Sequence, residues 1–81
     1  MEKAKETILL PDLGDVGEVV VVAWLKSEGE HVVEGEDLVE VETEKTAFVV
    51  QAPASGRLGA VAARAGDRLR VGGTLGEIEP G

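Results

Sequence analysis

The chain of 81 residues contains no cysteine and a single histidine, His31. A domain this small buries a modest core, and many of its size are stapled by disulfides or a metal. With neither staple on hand, stability has to come from packing of Val, Leu, Ile and Ala. The missing thiols carry a second consequence: any redox or thioester chemistry must arrive on a bound group. They say nothing about compartment. His31 stands beside a glycine turn with no second His and no Cys, so it does not make a metal set, and one histidine leaves little material for a Ser/His/Asp arrangement. Cations are scarce as well. Eight Lys and Arg face sixteen Asp and Glu, a formal charge of -8, which argues against nucleic acid and anionic membranes and favours solubility and partners with basic faces. The longest apolar run, Val19 to Leu25, is too short to span a bilayer. The opening "MEKAKET" lacks the apolar segment of a signal peptide. A soluble protein of the bacterial-type cytoplasm or the mitochondrial matrix is the expectation.

Glycine is abundant, with eleven residues, and its spacing reveals a duplication. "EGEHVVEGEDLVEVE" (28–42) lies on "AGDRLRVGGTLGEIE" (65–79), an offset of 66 − 29 = 37. Gly29 falls on Gly66, Gly35 on Gly72, Leu38 on Leu75, Glu40 on Glu77 and Glu42 on Glu79, with Val32 on Leu69 and Val41 on Ile78. The repeat decides an ambiguous segment. "GAVAARAG" (59–66) has the alanines of a helix, but its counterpart "VAWLKSEG" (22–29) extends a run of four valines, which favours strand. Strands are therefore expected near 6–10, 17–26, 31–33, 38–43, 46–51, 56–63, 68–70 and 74–79, with Gly35 and Gly72 at positive φ. Pro11 and Pro53 sit just outside strands, where a missing N–H does least harm. The fold class is all-β: a flattened barrel or sandwich of two four-stranded antiparallel sheets with pseudo-two-fold symmetry. Residues 8–79 form the domain, 1–7 a tail with the start of the first strand, and 80–81 the possible opening of a linker.

The offset divides the chain into halves near 8–44 and 45–81, and the seam falls in "EVETEKTAF" (40–48). This stretch has to reverse direction between two strands, yet it holds no Gly, Pro, Asn or Asp. A type I turn accommodates Glu44-Lys45, but nothing local demands lysine. By symmetry Lys45 is the mate of the chain ends near Ile8 and Gly81, which places the hairpin opposite the termini. A surface lysine is ordinarily a solvated one. Here it lies at the centre of the duplication without a lysine counterpart, bracketed by Glu42 and Glu44. A primary amine on a long stem can be acylated to a stable amide; an arginine cannot. A carboxylic acid so attached becomes an arm that visits several active sites without diffusing away.

At these residues the chain resembles a lipoyl domain of the 2-oxo acid dehydrogenase complexes, within the biotinyl/lipoyl carrier family. The resemblance runs from Ile8 to Ile78. It is carried by "LLPDLGD" (9–15), "WLKSEGEHVVEGEDLVEVETEKTAF" (24–48), "APASG" (52–56) and "AGDRLRVGGTLGEI" (65–78). The family sets its modified lysine in a Thr/Ser-Asp-Lys-Ala context, which is here Thr43-Glu44-Lys45-Thr46. The resemblance implies lipoate joined to Lys45 by an amide, a lipoate-attaching enzyme, a thiamine-diphosphate decarboxylase that acylates the arm, an acyltransferase core that receives the acyl group, and a flavin dihydrolipoamide dehydrogenase that reoxidises it. The domain itself would catalyse nothing and would belong to a longer acyltransferase chain. It also implies recognition roles for Glu42, Thr43, Glu44 and Thr46 at the tip, and for Asp12, Leu13, Gly14 and Asp15 in a loop beside it; a solvated strand and a plain turn after Pro11 are the competing readings. Trp24 reads as core rather than a ligand platform, and Asp67-Arg68 as a solvated turn. Three alternatives stand beside the lipoyl carrier, one of them the related glycine-cleavage carrier protein, which is usually longer and has extra helices that this sequence does not show. In a biotin carrier the lysine is typically flanked by Met, where this chain has Glu44 and Thr46. An unmodified β-module would acquire no adduct at all.

Overall fold

The computed structural model describes residues 5–12, 14 and 17–80. Eight strands follow in order: β1 Glu6–Leu9, β2 Val19–Trp24, β3 His31–Val32, β4 Asp37–Glu42, β5 Ala47–Gln51, β6 Gly56–Val61, β7 Arg68–Leu69 and β8 Thr74–Glu79. They form two four-stranded antiparallel sheets, ordered β1-β8-β6-β3 and β5-β4-β2-β7. Between the sheets lie Ile8, Leu10, Val21, Val32, Leu38, Val41, Leu58, Leu75 and Ile78, all essentially inaccessible to water. Alternation directs these side chains inward along most of each strand, and the register shifts at Asp37/Val39 and Ile8/Leu9 let Leu38 and Leu75 face inward as well; their burial supplies the driving force that no staple provides. Of "GAVAARAG", the first three residues complete β6 and the last two form a turn, so the strand ends at Val61 rather than at 63; no helix occurs among the described residues.

The duplication is complete at the level of topology. Replacing β1, β2, β3 and β4 by β5, β6, β7 and β8 converts one sheet order into the other. The irregularities are duplicated too: β2 shifts register against β4 between Val21 and Ala23, and β6 against β8 between Leu58 and Val61. Gly35 and Gly72 both sit at positive φ, +87° and +85°. Their N–H groups donate to Ala52 and Leu10 in matching bonds of 2.9 Å, so each glycine turns the chain where an L side chain would be strained.

One boundary of the symmetry needs correcting. The outer strands follow a different offset: Ile8 pairs with Gly76 as Val50 pairs with Val39, so β5 matches β1 at 50 − 8 = 42. Ile8 is therefore the buried mate of Val50, not of the seam. The offset changes because the β1–β2 connection, 10–18, is five residues longer than the β5–β6 connection, 52–55. The seam itself is where it was expected, in the β4–β5 turn. That turn closes one sheet, while β1 and β8, which lead to the chain ends, pair in the other.

Candidate functional site: the lysine hairpin

From Val39 onward the β4–β5 hairpin pairs residue for residue up to its last pair, Glu42 with Ala47. Beyond it Thr43 N–H donates to Thr46 O at 2.7 Å. Among the described residues none but glycine has positive φ, which excludes the primed turns that usually close two-residue hairpins. What stands in for them is the Thr43 hydroxyl. Its Oγ1 accepts the N–H of Lys45 at 3.1 Å and of Thr46 at 3.0 Å, and donates to Thr46 O at 3.1 Å. A side-chain hydroxyl that mimics backbone in this way is a known turn device. It answers how a tip can form from Glu44-Lys45 without Gly or Asn. The side chains of Glu44 and Lys45 are left exposed and free of turn duty.

Lys45 Nζ makes no ion pair among the described residues. The amine is thus presented on a fixed base, open to an approaching reagent. A depression of about 520 Å³ lies beside it, walled by the hairpin (Glu42, Thr43, Glu44, Lys45), by Gly17 and Glu18 of the β1–β2 connection, and by Val20 and Arg68. Arg68 Nη1 approaches Glu18 Oε1 at 3.4 Å. The fold therefore gathers Glu42, Thr43, Glu44 and Lys45 as the sequence suggested, with Thr46 completing the turn.

The loop residues fare differently. Asp12 Oδ1 accepts the Gly14 N–H at 2.9 Å, and Gly14 takes φ +90°, a local turn. Neither lines the depression; the loop's contribution there is Gly17 and Glu18. Leu13 and Asp15 lie outside the described residues. Sequence reasoning missed Glu18 and Arg68, which are far apart in the chain. Arg68 is not merely a solvated turn residue; it starts β7 and pairs across with Val20. The usable signal was the surplus length of 10–18, which has to reach somewhere. Trp24 is half-buried, packs against the core and donates its indole N–H to Ala63 O at 2.7 Å, in keeping with a core role.

Comparison with known proteins gives three findings. The family described as "Biotin-requiring enzyme" matches residues 6–78. The succinyltransferase component of the 2-oxoglutarate dehydrogenase complex of Rickettsia felis, a dihydrolipoyllysine-residue enzyme, is 40% identical over 75 residues, 91% of this chain and 19% of its own length. The chain thus spans about a fifth of the curated relatives it matches. Among solved structures, the lipoyl domain of the 2-oxoglutarate dehydrogenase complex of Azotobacter vinelandii is 31% identical with a TM-score of 0.73, over 94% of this chain and 99% of that domain. Urea carboxylase of Kluyveromyces lactis contains the same fold, with a TM-score of 0.80 at 22% identity over 96% of this chain and 6% of its own.

Proposed function

The chain belongs to the biotinyl/lipoyl carrier family and matches its lipoyl domains, and from that membership we propose that it is a lipoyl carrier whose Lys45 holds lipoate through an amide. The observation that carries the reading is the hairpin tip: an exposed lysine on a turn that the Thr43 hydroxyl fixes, leaving the amine uncommitted. The residues present fit the group. An exposed Nζ on a rigid base is what acylation by an enzyme needs, and the long stem prolongs the arm that results. When attached, lipoate supplies a disulfide-containing ring able to take up and release acyl groups and electrons, the chemistry that a chain without cysteine cannot supply itself.

The protein's own residues anchor, present and identify. The sandwich sets the hairpin in one sheet and the strands that lead to the chain ends in the other. Glu42 and Glu44 mark the tip for the enzymes that must find it. The arm shuttles acyl groups and electrons between a decarboxylase, an acyltransferase core and a dihydrolipoamide dehydrogenase of a 2-oxo acid dehydrogenase complex, and the domain serves as a non-catalytic part of the acyltransferase chain. Confinement raises the local concentration of the arm at each site.

Peptide mapping after incubation with lipoate, ATP and a lipoate-attaching enzyme tests the proposal. A lipoyl adduct on Lys45, and none on the Lys45→Arg variant, is the expected result. An unmodified Lys45 under conditions that modify a control lipoyl domain refutes it. Parallel incubation with biotin and a biotin ligase tests the biotin reading, for which Glu44 and Thr46 are the wrong neighbours.

A further inference from the structure

The two halves of the molecule serve as controls for one another, and their outer faces differ. On the sheet that carries the chain ends, Glu79 lies between Arg57 of β6 and Lys5, whose Nζ is 3.8 Å from it and 3.7 Å from Glu77. Glu77 is paired with Thr7. On the sheet that carries the hairpin, the matching acids are Glu42 and Glu40. Glu42 lies between Ala47 and Val20, and Glu40 between Val49 and Ala23. The bulged residue Val22, whose mate is Gly59, stands 39% exposed and Val49 46%. So Lys5, Thr7, Arg57 and Gly59 on one face are replaced by Ala47, Val49, Val20 and Val22 on the other. Among the described residues no cation pairs with Glu40 or Glu42, and the one cation on the row, Arg68, is engaged by Glu18. An opposite charge directly across from an acid stabilises a strand pair. Here the same backbone has both versions, and the apolar one is beside Lys45. Val20 and Glu42 also wall the depression under Lys45, so face and depression are continuous.

Building on the lipoyl reading, we propose that the outer face of the β5-β4-β2 sheet is the docking surface for the enzyme that acylates Lys45, through a partner surface that is apolar with basic residues set to meet Glu40 and Glu42. Charge complementarity fixes the chemistry of the partner: two uncompensated carboxylates among exposed valines fit cations framed by apolar side chains. The reach of the lysine fixes which enzyme. Before modification the only reactive atom is Nζ on its own stem, so the attaching enzyme must pack against the domain itself. Enzymes that later use the arm can stand farther off. The Glu40–Val49 row lies roughly 7 Å below the Glu42–Ala47 row, two strand residues away, and thus within the footprint of a protein seated on the tip.

The test installs on this face the residues that the fold already tolerates on the other. Ala47→Lys with Val49→Thr reproduces the Lys5 and Thr7 environment, and Lys5→Ala with Thr7→Val is the reciprocal control. The rate of lipoylation of Lys45 is followed by intact mass with lipoate, ATP and a lipoate-attaching enzyme, at low and at high salt. The expected result is a loss of tenfold or more in kcat/KM for the Ala47/Val49 variant, carried by KM, against less than twofold for the Lys5/Thr7 variant. The wild-type rate should fall with salt, and the Ala47/Val49 variant should be less sensitive to it. Equal effects of the two variants, or no effect of the first while wild type is modified, overturn the docking surface and leave the carrier reading intact. No adduct on wild type overturns both. Matching melting curves and a Glu40→Gln variant, which should also raise KM, separate recognition from misfolding.

Discussion

Thr43 does for this hairpin what glycine does for most. Three bonds converge on its hydroxyl within one turn, and a hydrogen bond of this kind contributes about 0.5–1.5 kcal/mol net. Thr43→Ala is therefore expected to lower the unfolding free energy by about 1 kcal/mol, which for a domain of this size moves Tm by about 4–8 °C. Thr43→Ser, which keeps the hydroxyl, should recover most of the loss. Thr46 contributes through its backbone; its own hydroxyl reaches only Ala47 O at 3.5 Å. Thr46→Ala should accordingly change stability by less than about 0.5 kcal/mol. Thermal melts of the three variants check the ranking, and a Thr46→Ala loss equal to that of Thr43→Ala would sink the account of the turn. The contrast bears on the departures from the family context. Thr43 builds the tip through its hydroxyl, whereas the turn makes no comparable use of the side chains of Glu44 and Thr46.

Between elements, the halves compensate for one another in volume. Trp24 pairs with Val39, while the corresponding pair in the other sheet is Val61 with Gly76. A Cβ on Gly76 would come within 2.9 Å of Ala60 O and 3.4 Å of the Trp24 ring, so the missing side chain admits the large one from the opposite half. Gly76→Val, which restores the symmetric residue, should destabilise by about 1–3 kcal/mol through overpacking and should shift the fluorescence of the single tryptophan; unchanged stability and emission would contradict the compensation. The turn that enters β4 is tied by charge to the β2–β3 connection. Glu36 is held below the usual carboxylate range first by the Val33 N–H at 2.9 Å and then by Lys26 at 3.0 Å. Lys26 is raised above the usual amine range, chiefly by its hydrogen bond to Glu36. A carboxyl depressed on folding stabilises fully above its unfolded pKa, about 4.3 for Glu, and that contribution disappears as pH falls through the depressed folded value. Both groups are solvent-facing, so the effect is small. Its signature is a slope: between those two values Glu36→Gln should lose stability less steeply with acid than wild type, measured by denaturation at a series of pH values.

At the scale of the whole molecule, symmetric parts were legible in the sequence and asymmetric ones were not. Runs such as "VVVV" and the paired glycines are local signals, so all eight strands and the seam at Glu44-Lys45 could be read directly, and Lys45 followed from the seam together with the family resemblance. The approach of Arg68 to Glu18 could not, because it depends on how β7 pairs with β2 and where the longer β1–β2 connection ends. The contrast between Lys5–Glu79 and Ala47–Glu42 was hidden for a related reason: Glu42 and Glu79 match in the repeat, but Lys5 and Ala47 match only at the offset of 42, which the repeat in 28–42 and 65–79 does not display. The duplication supplies two equivalent sheets and a common core, which is the stability. The departures from it, a longer loop, an apolar outer face and a lysine without a counterpart, collect around one hairpin. Fold and function are therefore separable. Lys45 is exposed and lends nothing to the turn but its backbone N–H, so Lys45→Gln should leave the unfolding free energy within about 0.5 kcal/mol of wild type while abolishing the adduct. Acylation removes the same positive charge, adding one negative unit to the formal -8. The modified chain should bind an anion exchanger more tightly than the unmodified one, co-elute with Lys45→Gln more closely than with wild type, and melt within about 3 °C of both. A large change in melting on modification would mean that the arm packs against the domain rather than swinging free of it.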